Sequence, residues 1–248
     1  MFQPISPDSY ARPSEIVLTL DTDWAPGFVI EDVMTELDQH DVSATCFMTH
    51  EVDCAIPSKV EVGLHPNFLS NSTQGENKKA VLKGLKSLFP DAVSVRTHCL
   101  YWDSRLGSLF YDYGLKYDVS LCLPFHPFLG PTRIGKLMRI LYWWSDNIHM
   151  ENDMPFDSGA LVEKARSPGY KVLNFHFSHI WLNCQSIEDW ETARDSLGPS
   201  LSETRYEDWK KHRKTRPGIG TLFSDLLLYL SETASPTHTI REIMEEFG

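Results

Sequence analysis

The chain has 248 residues, 42% apolar and 23% charged, the make-up of a soluble globular protein with enough apolar surface for a sizeable core. Disordered and fibrous chains are excluded. Its 23 basic and 34 acidic residues leave a net charge of −11, which argues against the phosphate-neutralising surface that nucleic-acid binding needs.

The N-terminus, Met-Phe-Gln-Pro-Ile-Ser-Pro-Asp, has no basic region followed by an apolar one, so no signal peptide is expected. No apolar run reaches the roughly 18 residues of a transmembrane span. The five cysteines, Cys46, Cys54, Cys99, Cys122 and Cys184, are scattered and form no C-x-x-C pair, which disfavours a disulfide scaffold or a thiolate zinc site. A reducing, cytoplasmic location is expected.

Ile16 to Leu20 form an apolar run ending at Asp21-Thr22-Asp23 and the turn Ala25-Pro26-Gly27, which predicts a buried strand with acids at its C-terminal end. Val29, Ile30, Val33, Met34 and Leu37 then recur at helical spacing. Further strands are predicted over 42–48, 60–64, 92–95, 115–121, 137–143 and 170–177, with helices over 79–89, near 106–113 and around 158–166. Seven strands separated by helices predict an α/β fold with a parallel sheet, open or closed into a barrel. The proline-rich stretch 120–135 reads as the longest irregular segment. The tail from Ser186 reads as helices packed on the same domain, with 222–230 its strongest apolar helix, and Lys210 to Arg216 as a solvated basic face.

Candidate chemistry collects at predicted strand ends. Strand alternation puts Val17, Thr19, Asp21 and Asp23 on one side, and other strands run into His65, into Arg96 and His98, and through His176 to His179. In α/β sheets and barrels the C-terminal strand ends converge on one site. Aspartate and histidines meeting there suit a divalent metal with an open position, zinc being the simplest choice. Trp24 and Trp102 directly follow strand-end motifs and are candidates for contact with a substrate. Other aromatics, among them Tyr101, Trp143, Trp144 and Trp181, read more simply as core.

These residues resemble the NodB-type polysaccharide deacetylases, carbohydrate esterase family four. Leu18-Thr19-Leu20-Asp21-Thr22-Asp23 is similar to that family's first motif, Ala44-Thr45-Cys46-Phe47 to its next strand, and Glu61-Val62-Gly63-Leu64-His65 to its second motif. Arg96 matches the start of the third, Tyr117-Asp118-Val119-Ser120 a later strand, and Val172-Leu173-Asn174-Phe175-His176 the last. The versions around His65 and His176 look most like the branch associated with lipopolysaccharide and surface-polysaccharide biosynthesis. The resemblance implies a deformed barrel of about seven strands over a motif-bearing core of about 16–183, followed by a helical region of about 184–248, in one domain spanning 1–248. It also implies metal-dependent removal of an N-acyl group, N-acetyl above all, from a sugar or a nucleotide- or lipid-linked sugar.

On that pattern Asp23 and His65 would hold the metal. Asp21 would act as general base, Arg96 would keep it ionised, and His176 would protonate the departing amine, with His179 in reserve for that role or for substrate contact. One departure stands out: Leu69 occupies the position of the family's second metal histidine. His98, two residues after Arg96, is the candidate replacement, with Asn67 and Asn71 as poorer donors, unless His98 serves only its loop or Asp118. Two other functions stay open, hydrolysis of a small non-sugar or cyclic amide and non-catalytic glycan binding on the same barrel.

Overall fold

The protein is described by a computed structural model covering residues 14–126 and 130–247. The N-terminal residues read above for a signal sequence, and part of the proline-rich stretch, lie outside the described residues. Five parallel strands, β1 (Ser14–Asp21), β2 (Ala44–Met48), β3 (Val60–Leu64), β4 (Ser94–Val95) and β5 (Tyr117–Asp118), follow one another across the sheet. Beyond β5 lies an antiparallel hairpin, β6 (Thr132–Ile134) and β7 (Leu137–Arg139), turned at Gly135 with φ 58°. On the other side of β1 come β9 (Gly169–His176) and β8 (Trp144–Ser145), both parallel to it.

The stretch 137–145 closes this sheet. Its Ile140 N–H donates to the Asp118 carbonyl at 3.1 Å and its Tyr142 N–H to the Leu121 carbonyl at 3.0 Å, while the next residue, Trp143, donates to the Val172 carbonyl at 2.7 Å. One bent segment thus pairs with β5 at its start and with β9 at its end. The result is a deformed seven-stranded barrel, in which the sixth predicted strand, 137–143, begins as β7 and then bends to lead into β8, just beyond its predicted end. The fifth is shorter than the apolar pattern 115–121 suggests, because beyond Asp118 the chain keeps one bond from the Val119 N–H to the Val95 carbonyl and isolated pairing with Tyr142 and Trp143.

Helices α1 (Gly27–Gln39), α2 (Lys78–Leu88), α3 (Leu106–Asp112), α4 (Asp146–Glu151), α5 (Ser158–Lys164) and α6 (Phe177–Leu182) connect or follow the strands. The tail adds α7 (Ile187–Leu197), α8 (Tyr206–Lys210), α9 (Ile219–Glu232) and α10 (Ile240–Glu245). Helix α1 buries the five apolar residues whose spacing predicted it, and they share one core with the buried face of α9. Asn77 caps α2 by accepting from the N–H groups of Lys79 and Ala80, a contact worth about 1 kcal/mol.

Strand alternation decides what fills the barrel. Val17 and Val172 belong to a cluster with Phe47, Tyr142 and Tyr170, and Ile240, Ile243 and Met244 of α10 pack into it. The Ile240 N–H bonds the Thr45 hydroxyl, and Arg241 N–H bonds Glu61, so α10 lies against the beginnings of β2 and β3. The same faces of β1 and β9, followed toward their C-terminal ends, change from apolar to polar through Thr19, Asp21, Asn174 and His176. Register pairs Thr19 with Asn174 and Asp21 with His176.

Candidate active site

Asp21, the last residue of β1, is buried and has both oxygens engaged. Oδ1 accepts from Arg96 Nη1 at 3.0 Å and Oδ2 accepts from Asn174 Nδ2 at 2.9 Å. Arg96 is itself fixed: it donates to the Thr19 hydroxyl at 2.8 Å, to Asn174 Oδ1 and to the Val119 carbonyl, and its guanidinium stacks on Phe47 and Tyr142. Burying this ion pair costs solvation, and the extra donors and rings are what offset that cost.

Asp23 is reached by a turn, not by continuing strand alternation, since Asp23 and Trp24 have φ values of 41° and 59°. Hydrogen bonds between Thr22, Thr49 and the Trp24 N–H hold that turn. Asp23 Oδ1 lies 3.1 Å from His65 Nε2 and 3.1 Å from His98 Nδ1, and the two histidine nitrogens are 3.4 Å apart. His65 follows β3 directly. His98 opens a one-turn 3-10 segment after β4 in which Cys99 and Leu100 take left-handed φ values of 53° and 52°. That kink, rather than an extended strand, brings its ring to Asp23.

These three groups could hold a metal ion. Three ligands of a tetrahedral zinc at about 2.0–2.1 Å have donor atoms about 3.3 Å apart, close to the spacings here. Charge points the same way. Set against Asp21, Asp23 and Asp146, Arg96 and a protonated His176 leave one negative charge uncompensated when His65, His98 and His179 are neutral, a balance that favours a bound cation. Burial alone would raise the Asp23 carboxyl, but hydrogen bonds from His65 and His98 hold it well below the usual carboxylate range. Burial would lower His98, yet its bond to Asp23 carries it to about 10. Leu69 is exposed on its loop, and Asn67 Oδ1 accepts from the Leu69 N–H.

A second group faces the first. Asp146, fully buried at the start of α4, accepts from His176 Nδ1 at 2.7 Å, the His176 backbone N–H at 2.7 Å, His179 Nδ1 at 2.9 Å and the Asn147 N–H at 2.8 Å. Ser145 caps the same helix by accepting from the Ile148 N–H. Asp146, His176 and His179 also lie close enough together to surround an ion, but their carboxylate is already saturated by N–H donors. Burial would raise Asp146, but the two imidazoles hold it well below its ordinary value. His176 ends β9 and its Nε2 points back across the site, 3.6 Å from Asp23 Oδ2 and 3.8 Å from Asp21 Oδ2. Burial would pull its pKa down; the charge of Asp146 outweighs that and lifts it to about 9.

Asp21, Asp23, His65, Arg96, His98, His176 and His179 therefore lie in one connected set. Trp24 sets its ring edge-on to His98 at 5.2 Å. Trp102 is placed differently: it packs on Phe110 and under the Arg139 guanidinium at 3.9 Å, with no interaction to the acids and imidazoles among the described contacts. Asp118 pairs with Arg139 and not with His98. Trp143, Trp144 and Trp181 are buried core. Asp146 and Asn174 escaped the sequence reading. Asp146 had a signal, since it follows the sixth predicted strand just as the other candidates follow theirs.

A family model described as WbmS-like, polysaccharide deacetylase, matches residues 18–194. The chain belongs to this family. Membership makes it a hydrolase of the polysaccharide-deacetylase type, and the matched span contains every residue of the connected set. A candidate polysaccharide deacetylase involved in O-antigen biosynthesis from Bordetella bronchiseptica is 29% identical, with a TM-score of 0.77 over 90% of this chain and 93% of that one. A candidate polysaccharide deacetylase from Mycobacterium smegmatis is 13% identical, with a TM-score of 0.56 over 98% of this chain and 93% of that one. The 4-alpha-glucanotransferase of Thermococcus litoralis is 11% identical, with a TM-score of 0.52 over 94% of this chain and 40% of its own. The last two show likeness of fold alone. No curated protein matches the chain, and no helix among the described residues is long and apolar enough to cross a membrane.

Proposed function

We propose that this deacetylase removes an N-acyl group, N-acetyl above all, from a sugar during O-antigen or other surface-polysaccharide synthesis, using one divalent ion, zinc by preference, held by Asp23, His65 and His98. The observation that carries the reading is the meeting of two differently tuned pairs, Asp21 with Arg96 and His176 with Asp146, across the Asp23 carboxylate. Likeness to the Bordetella protein supports the biosynthetic setting.

Amide hydrolysis needs an activated water, a place for the developing oxyanion and a proton for the leaving nitrogen. A divalent ion, when bound, supplies the first two by lowering the pKa of water and polarising the carbonyl. Asp21 takes the water proton; Arg96 and Asn174 fix the orientation of its two oxygens. His176 gives a proton from Nε2 to the amine, and Asp146 keeps the ring in the tautomer and plane that aim it. Trp24 beside His98 offers a ring edge and face to the sugar.

The substrate is a nucleotide- or lipid-linked acetamido sugar and the reaction is cytoplasmic. Five free thiols suit a reducing compartment. The test is acetate release: purified protein with a nucleotide-linked acetamido sugar should liberate acetate, lose that activity to a chelator and regain it with zinc. Turnover of cyclic or ureide amides with none of acetamido sugars would overturn the substrate, and tight glycan binding with no acyl release would overturn the activity.

A further inference from the structure

We infer that His179 is a positioning residue for the acid side of the site, anchoring the Asp146 oxygen that faces away from the His176 ring. The inference rests on the reading of His176 as proton donor. His179 is 2% exposed and lies three residues after His176, where β9 gives way to α6, so the two rings sit side by side with centroids 4.8 Å apart. Its Nδ1 meets Asp146 Oδ2 at 2.9 Å, and Trp190 of α7 closes on its ring, edge-on at 5.4 Å.

Asp146 thus divides its oxygens between two imidazoles: Oδ1 to His176 and Oδ2 to His179. A carboxylate is acceptor-only, so the proton of the His179 contact sits on Nδ1. That places His179 behind the dyad. His176 aims Nε2 at Asp21 and Asp23, whereas no contact between His179 and those acids is found among the described interactions.

Removing the His179 ring would take one donor from a buried carboxylate and open space for water against it. Hydration raises the local dielectric and weakens the hold of Asp146 on the His176 ring. The loss therefore falls on the step in which the leaving group is protonated. An acetamide leaves as an amine and needs that proton; p-nitrophenyl acetate expels a phenolate that does not.

The experiment measures kcat and KM of the metal-loaded protein and its variants on an N-acetylated amino sugar and on p-nitrophenyl acetate. His179→Ala should lower kcat on the amide by about 10–100-fold, the usual cost of losing a supporting contact of this kind, with KM changed by less than about twofold. Ester turnover should fall several-fold less than amide turnover. His179→Asn, which keeps an N–H near the place of Nδ1, should recover most of the amide rate. Should His179→Ala fail to fold, His179→Gln, which fills the space with its amide displaced, should give the same amide-selective loss. Equal losses on both substrates, no recovery in His179→Asn, or a higher KM at unchanged kcat would overturn the inference. His176→Ala is the reference: it must itself lose amide turnover selectively, and if it does not, the acid assignment fails rather than the role of His179.

Discussion

Asp146 and His176 meet twice, the carboxylate accepting both the ring Nδ1–H and the backbone N–H of His176, each at 2.7 Å. Two bonds from one residue fix the ring plane as well as its tautomer, and Nε2 has only the direction of Asp21 and Asp23 left to it. Asp146→Asn should therefore behave like His176→Ala, with kcat on an acetamido sugar down by about 10²–10⁴-fold and KM little changed. Steady-state kinetics of both variants checks this. Unchanged kcat with a raised KM would make the pair a binding device.

The two acids of β1 should separate by metal content. Asp21→Asn keeps a polar group in place and removes only the base, so turnover disappears while the ion stays. Asp23→Asn removes a ligand, so metal and turnover disappear together. Elemental analysis of the purified variants reads the difference, and the opposite pattern would exchange the two roles.

Stability should depend on pH through the same dyad. Burial works against protonated His176, but Asp146, Asp23 and Asp21 together raise its pKa to about 9. A raised pKa gives stability that is complete below the unfolded value of about 6.5 and lost as pH climbs through about 9. Asp146, lowered, contributes above the unfolded value of about 3.9 and loses its share only in stronger acid. Denaturant unfolding of metal-free protein should show the wild type losing stability between pH 6.5 and 10 as His98 and His176 both give up their protons, and His176→Gln losing roughly 3 kcal/mol less over that range. A wild type as stable at pH 10 as at pH 6.5 would contradict this.

The close fit at Gly63 gives a packing test. A Cβ there would meet the Phe47 ring at 2.6 and 2.7 Å and the Ser94 carbonyl at 3.2 Å, and the Phe47 ring stacks on the Arg96 guanidinium at 4.4 Å. Gly63→Ala should cost about 1–3 kcal/mol by overpacking, lower the melting temperature by several degrees and reduce turnover by displacing Arg96. An unchanged melting temperature would show that Phe47 yields freely.

The barrel and much of this site were legible because both follow from strand alternation and strand ends. Asp21, His65, Arg96 and His176 could be placed by the rule that a parallel barrel gathers its C-terminal strand ends. Asp23 and His98 arrive by left-handed turns at Asp23, Trp24, Cys99 and Leu100, geometry that no periodicity encodes. Helix α6 was hidden because Phe175-His176-Phe177 continues the strand pattern without a break; the change to helical spacing is what sets His179 beside His176. Asp146 lay beyond a strand whose bend disguises its end, and Trp102 packs on Phe110 and Arg139, since nearness in sequence to Arg96 and His98 does not fix where a ring packs.

The most direct test is to soak zinc into crystals of the metal-free protein and locate the ion by anomalous scattering. The account predicts a single strong site about 2.0–2.2 Å from Asp23 Oδ1, His65 Nε2 and His98 Nδ1, with Asp21 and His176 beside it but unbound. An ion bound to Asp146, His176 and His179, or one held by Asp23 and His65 without His98, would contradict it.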